Sequence, residues 1–171
     1  MNVIGLDLSL TGTGIALADR TIHVQPKCRG VERLAYIRRE VLDIVSLYDS
    51  VIPEPLLVAI EGYAYSQANQ AHQMGELGGV IRLALFDADI PFTVVAPQTI
   101  KMYATGNGGA KEDAVLVEGV KRLGLEFGND EMDAAWLRAL VMDKAGEPIV
   151  TVPESHRRAL DKVELPEGWG R

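Results

Sequence analysis

Cys28 is the single cysteine in the 171-residue chain. No intrachain disulfide is therefore possible, and such sparing use of thiols fits a reducing compartment. No apolar run approaches the ~20 residues that a helix needs to cross a bilayer. The opening stretch, MNVIGLDLSL, has no basic leader and carries Asp7 within its apolar residues. That argues against a secretory signal, so the expected location is the cytoplasm, with no membrane partner. A surplus of positive charge is also missing: 17 Lys and Arg stand against 24 Asp and Glu, for a net charge of −7. The surface as a whole is thus a poor polyanion binder, although a local basic patch could still hold nucleic acid. Internal repeats and low-complexity blocks are absent. The glycine-rich stretch at 106–109 lacks the Gly-Lys-Ser/Thr ending of a phosphate-binding loop.

What remains is the composition of a globular domain, 47% hydrophobic and 24% charged, long enough to bury a sizeable core. Residues 2–8 read as a strand ending near Asp7, followed by a turn-rich Ser9–Gly14 and two short strands at Ile15–Ala18 and Thr21–Gln25. Val31, Leu34, Val41, Val45 and Tyr48 share one face of a helix. Leu56–Ile60 reads as a buried strand that delivers Glu61 at its end. A second long helix covers Gln67 to Asp89, and another strand Pro91 to Ala96. Pro97–Tyr103 reads as a short helix or turn. Two more helices follow at Ala110–Leu123 and Asn129–Lys144, the latter with Asn129 as its expected N-cap. Strands first in antiparallel order, then alternating with helices, indicate an α/β sheet with one antiparallel hairpin. Residues 1–146 are expected to form one domain, and the proline-bearing 147–171 a loosely attached tail.

Carboxylates at the ends of apolar strands need a reason, because an ionised carboxylate out of water is costly unless paired or bound to a metal. Asp7 follows Val-Ile-Gly-Leu and Glu61 follows Leu-Leu-Val-Ala-Ile, where ligands of open α/β sheets usually sit. Asp130 and Asp133 lie three apart, on one side of a helix first turn. Plainer readings exist for each. Asp7 could cap the turn at Ser9 or Thr11, Glu61 could pair with Lys111, and the two aspartates could be ordinary helix-start acids. Together the acids form a hard-oxygen set that suits Mg²⁺ or Mn²⁺. Two such ions would activate a water and stabilise the leaving oxygen of a phosphodiester. Six basic residues, Arg20, Lys27, Arg29, Arg33, Arg38 and Arg39, oppose one acid, Glu32, over positions 20–39, which marks either a polyanion patch or a solvated face. His23, His72 and His156 show no metal-ligand spacing, and Ser9 has no evident histidine partner.

The run Ile4-Gly5-Leu6-Asp7-Leu8-Ser9-Leu10-Thr11-Gly12-Thr13-Gly14 resembles the first motif of RuvC-type Holliday-junction resolvases, members of the ribonuclease H-like superfamily. The resemblance continues in family order through Val58–Glu61, Leu77–Val80, Ala96–Lys101, Gly106–Lys111 and Asp130–Ala135, spanning about residues 2–144. It implies a mixed five-stranded sheet, three antiparallel strands and then parallel ones, flanked by helices. It also implies a homodimer that cuts four-way DNA junctions with paired nicks, using two Mg²⁺, or Mn²⁺ in their place. By position Asp7 would bridge two metals, Glu61 would sit near the attacking water, and Asp133 with Asp130 would complete the ligands. Lys111 would contact the scissile phosphate and Lys101 the DNA backbone, with Tyr63 and Tyr65 stacking on an opened base. Arg38 and Arg39 are the expected contacts of the basic patch. Glu131 is an additional acid that could also serve as ligand. A bacterial and a phage-encoded enzyme fit equally. The alternatives are a broader fork or flap nuclease, a non-cleaving junction-binding module and a fragment of an actin-like ATPase.

Overall fold

The computed structural model describes residues 1–62, 68–124 and 128–169. Its core is a five-stranded sheet in the order β3-β2-β1-β4-β5. The strands are β1 (Asn2–Asp7), β2 (Thr13–Ala16), β3 (Thr21–Val24), β4 (Leu56–Glu61) and β5 (Phe92–Val95). β1 to β3 form an antiparallel meander, and β1, β4 and β5 run parallel. The sequence expectation of a mixed sheet of this make-up is met. β2 starts two residues earlier than the sequence suggests, because Thr13 and Gly14 are already paired with β3 and β1.

Alternation along the strands divides the interior into two layers. Ile4, Leu6 and Leu8 face one way, with Val58 and Ile60, and pack against α1 (Gly30–Val51) and α2 (Ala68–Asp87). Val3, Leu57 and Ala59 face the other way, toward α3 (Pro97–Thr105), α4 (Glu112–Leu123) and α5 (Asn129–Lys144). Side chains of successive strand residues point to opposite faces. Asp7 and Glu61 therefore project on the α5 side, the same side as Val3 and Leu57.

Helix α5 is the most buried element on that side, with Trp136, Leu137, Leu140 and Val141 fully enclosed. It lies almost directly on the β1–β2 backbone. A Cβ at Gly5 would collide with the Ala134 carbonyl oxygen, and one at Gly14 with that of Asp130. Bare backbone at these two positions, opposite Ala134 and Ala135, sets how low the helix can sit. The N-cap of α5 is Gly128, not Asn129, and no side chain caps the helix. Asn129 instead reaches the Glu112 carboxylate, 3.4 Å away.

The expectation of a loosely attached tail does not hold. Within 147–169, α6 (Glu154–Arg157) and a following 3₁₀ turn (Arg158–Lys162) bring Val152, Ala159 and Val163 into the core beside Tyr103 and Trp136. Thr93 Oγ1 donates to the Glu164 carbonyl at 2.6 Å. Asp143, a buried carboxylate, accepts from Tyr103 Oη at 3.0 Å and from Arg157 at 2.8 Å. His156 Nδ1 lies 3.1 Å from the Tyr103 carbonyl, and its ring packs over Gly106. Scattered apolar residues, several hydrogen bonds and the Asp143–Arg157 ion pair hold the segment down, a pattern too irregular to register as periodicity.

Two outcomes follow from this packing. Gly14→Val should lower stability by ~1–3 kcal/mol through overpacking, read as a lower urea midpoint; an unchanged midpoint would show that α5 can lift without cost. Arg157→Ala strands the Asp143 charge and should lower the thermal midpoint, whereas exchanging Glu154 for Ala, a looser and more exposed partner of Arg157, should leave it unchanged.

Candidate metal centre and nucleic-acid face

β1 and β4 are paired in register from Asn2↔Leu56 to Leu6↔Ile60, so Asp7 and Glu61 finish adjacent parallel strands side by side. α5 crosses above them and lowers Asp133 into the same space. Carboxylate oxygens of Asp7, Glu61 and Asp133 all lie within 4.8 Å of one another. This is the one such cluster among the described residues. The turn after β1 does not use Asp7 as a cap: the Ser9 N–H donates to Thr13 Oγ1, and the Thr11 and Gly12 N–H groups to Ser9 Oγ. Hydroxyls satisfy the turn, and the aspartate is left for the cluster.

Three acids this close disfavour one another's charge. Burial, then the charges of Glu61, Asp133 and Asp130, hold the Asp7 carboxyl well above the usual carboxylate range. Burial and Asp133 push Glu61 up to about 7, against opposing help from a hydrogen bond with Asp7 and from Lys101. Asp133 is raised to about 6, chiefly by burial, with Lys101 acting in the opposite direction. Asp7 and Glu61 are thus coupled, each disfavouring the other's charge when no cation is present. A tight set of hard oxygen donors that cannot all ionise unaided fits a divalent cation such as Mg²⁺ or Mn²⁺.

Asp130, one turn earlier on α5, stands at the rim. Its Oδ2 is 3.2 Å from His23 Nε2, while its charge still raises Asp7 and Glu61. Glu131 turns toward the same imidazole, 3.9 Å from Nδ1, and not into the cluster. His23 was the residue that spacing alone could not find, since it joins the acids only through the pairing of β3 with β2. Lys101, on α3, is the cation that acts on Glu61 and Asp133, in place of the Lys111 pairing considered for Glu61. Lys101 and Lys111 line one open depression of about 330 Å³ with Glu112 and Asp113. Arg38 and Arg39 lie on α1, across the sheet from the acids. Both are exposed, and Arg39 is engaged by Glu40 at 3.0 Å and by the Tyr36 ring. Tyr63 and Tyr65 fall outside the described residues.

Comparison with known proteins matches this arrangement. The family model of crossover junction endodeoxyribonuclease RuvC matches residues 5–140. The chain belongs to this family. Curated RuvC relatives include that of Acidobacterium capsulatum, 39% identical over 85 residues, 49% of this chain and 47% of that protein. The Thermus thermophilus RuvC is 29% identical over 143 residues, 74% of this chain and 82% of the relative. The matched stretch therefore spans about half the length of the first relative and most of the second. Among solved structures, a Thermus thermophilus RuvC superposes with a TM-score of 0.66 at 24% identity, over 88% of this chain and 100% of that one. A second, the T. thermophilus RuvC in complex with Holliday junction substrate, gives 0.62 at 25% identity, over 81% and 90%. The sheet and its helices are accordingly those of the RuvC, ribonuclease H-like fold.

The upward shifts determine how this RuvC-family site responds to pH. Groups whose native pKa is raised favour the folded state fully below the unfolded carboxylate value of about 4. That contribution is lost as pH climbs through about 6 to 7 at Asp133 and Glu61. In EDTA the thermal midpoint should be higher at pH 5 than at pH 8, and Asp7→Asn should reduce the difference. Mn²⁺ at a hundred times its pH 8 dissociation constant should stabilise by ~2.7 kcal/mol at pH 8, and the same concentration should stabilise less at pH 5; an equal response at both pH values would contradict the assignment.

Proposed function

We propose that the chain is a metal-dependent, structure-selective endodeoxyribonuclease that resolves four-way DNA junctions by paired symmetric nicks, acting as a homodimer. The observation that carries this reading is the Asp7–Glu61–Asp133 cluster at the carboxyl edge of the sheet, with Lys101 beside it, in a chain of the RuvC family. A relative of the same fold has been seen with a Holliday junction substrate, which supports branched DNA as the substrate class.

Asp7, Glu61 and Asp133 would hold Mg²⁺, with Mn²⁺ able to substitute and Asp130 as a fourth carboxylate. When bound, as two ions, the metal would polarise the phosphodiester and make a water nucleophilic near neutral pH. Asp7 would contribute to holding both ions. Glu61 would hold metal near the attacking water, in a hydrolysis that would leave a 5′-phosphate and a 3′-hydroxyl. Lys101 Nζ and Lys111 Nζ offset the charge that develops on the phosphate oxygens. Lys101 would also contact the DNA backbone, and Tyr63 and Tyr65 would stack on an opened base.

The outer face of α2 supports the homodimer. Gly75, Gly79, Leu83 and Phe86 follow one another at helical spacing. Leu83 and Phe86 are 61% and 72% exposed, and the space beside both glycines is open. An apolar stripe with small residues allows two helices to approach closely. Paired nicks require two such sites on one junction.

Incubation of a labelled synthetic four-way junction with Mg²⁺ tests the reading. Wild type should make symmetric cuts, and Asp7→Asn should lower the rate at least 100-fold while retaining binding. Equal cutting of flaps and forks would replace the reading with a broader nuclease, and retardation without cutting in any metal would replace it with a binding module. Nucleotide hydrolysis without DNA would point to the ATPase alternative. Charge reversal at Arg38 and Arg39 should weaken junction binding at low salt, since each lost phosphate contact also reduces the salt dependence; unchanged affinity would remove α1 from the footprint.

A further inference from the structure

His23 is tied to the carboxylate cluster by the sheet itself. Strand pairing aligns His23 with Gly14, and Gly14 with Asp7. Asp7 in turn ends beside Glu61, so His23, Gly14, Asp7 and Glu61 form one row across four strands. The second position carries no side chain, and the Asp130 backbone occupies that gap. Over it His23 Nε2 meets Asp130 Oδ2 at 3.2 Å. The contact also runs above Gly12, where a Cβ would collide with the imidazole and come within 2.8 Å of Asp130 Oδ2. Gln25 Nε2 approaches His23 Nδ1 at 3.5 Å, and Glu131 lies 3.9 Å from the same nitrogen, beyond hydrogen-bond range. Two glycines thus keep a channel of bare backbone through which one imidazole reaches one carboxylate.

We infer that His23 is a positioning residue of the metal centre. Its Nε2–H holds Oδ2 of Asp130 and so fixes the orientation in which that carboxylate meets the cation shared with Asp7, Glu61 and Asp133. The inference rests on the reading of Asp130 as a ligand. As an ion pair the contact is partly exposed on both sides, 30% and 37%, so its worth to folding is small. Its effect lies in sparing Asp130 the loss of rotamer freedom on binding the ion. Outer-sphere partners of this kind typically account for 10–100-fold in metal affinity.

Calorimetric titration of Mn²⁺ into wild type, His23→Ala, His23→Gln, Asp130→Ala and the His23→Ala/Asp130→Ala double variant tests this, with the metal-free thermal midpoint of each recorded. His23→Ala should bind Mn²⁺ at least 10-fold more weakly with an unchanged midpoint. His23→Gln, which keeps an N–H donor, should recover most of the loss, and the double variant should bind no more weakly than Asp130→Ala alone. Normal affinity in His23→Ala beside weakened Asp130→Ala overturns the positioning role and leaves the ligand reading standing. Normal affinity in both overturns the two together. Additive losses, no recovery by glutamine, or a midpoint that falls in step with affinity would each overturn the inference as well.

Discussion

The close seat of α5 on the β1–β2 hairpin is the constraint on which the rest of the molecule depends. Gly5 and Gly14 leave the helix backbone nothing to rest on but strand backbone, and Ala134 and Ala135 meet them with the smallest side chains that still have a Cβ. From that contact the helix inherits its height and its axial position. Its second turn then projects Asp133 into the space where β1 and β4 end. A helix displaced outward by one side chain would carry Asp133 away from Asp7 and Glu61, and the 4.8 Å cluster would no longer form. Interiors packed to crystal-like density transmit such shifts instead of absorbing them.

Electrostatics at the site opposes folding, and the surrounding structure over-determines it. Burial, reinforced by neighbouring acids that include Glu112 and Glu131, raises Asp7, Glu61, Asp133 and Asp130 together. Lys101 is the nearby cation that moderates Glu61 and Asp133. Fully packed layers on both faces supply what holds the acids in place: Ile4, Leu6 and Leu8 below β1, and Trp136, Leu137 and Leu140 along α5. The tail adds to the second layer. By packing on α3 and resting His156 against the Tyr103 carbonyl and Gly106, it braces the helix that carries Lys101 and the turn that leads to Lys111. The segment beyond Gly146 therefore helps present both lysines.

Much of this was legible in the chain because the strong signals were local. Apolar runs that end in an acid identified β1 and β4 together with Asp7 and Glu61, and the i, i+3 aspartates identified the first turn of α5. The mixed sheet followed from turn residues between the first three strands and helices between the rest. What escaped depended on contacts between distant segments. His23 neighbours Asp130 only through the β2–β3 register, 107 positions away in the chain. Lys101 acts on the acids because α3 is aimed at them by its own packing, which no spacing encodes. The tail buries Val152, Ala159 and Val163 without a repeat, and its prolines read as a loose end. Asn129 is a favourable capping residue by type, yet the backbone bends one residue earlier, at Gly128. Arg38 and Arg39 stand out by composition, but α1 places them on the other face of the sheet from the acids.

The central claim is that one cation site is assembled by Asp7, Glu61 and Asp133 together. Anomalous diffraction from crystals grown with Mn²⁺ and collected at its absorption edge addresses it without reference to any activity. The account predicts anomalous density between the three carboxylates, with an oxygen of each ~2.0–2.3 Å from a Mn²⁺ peak, near the range for hard divalent ions on oxygen ligands. A peak held elsewhere, or no peak between these residues at millimolar Mn²⁺ and pH 8, would contradict it.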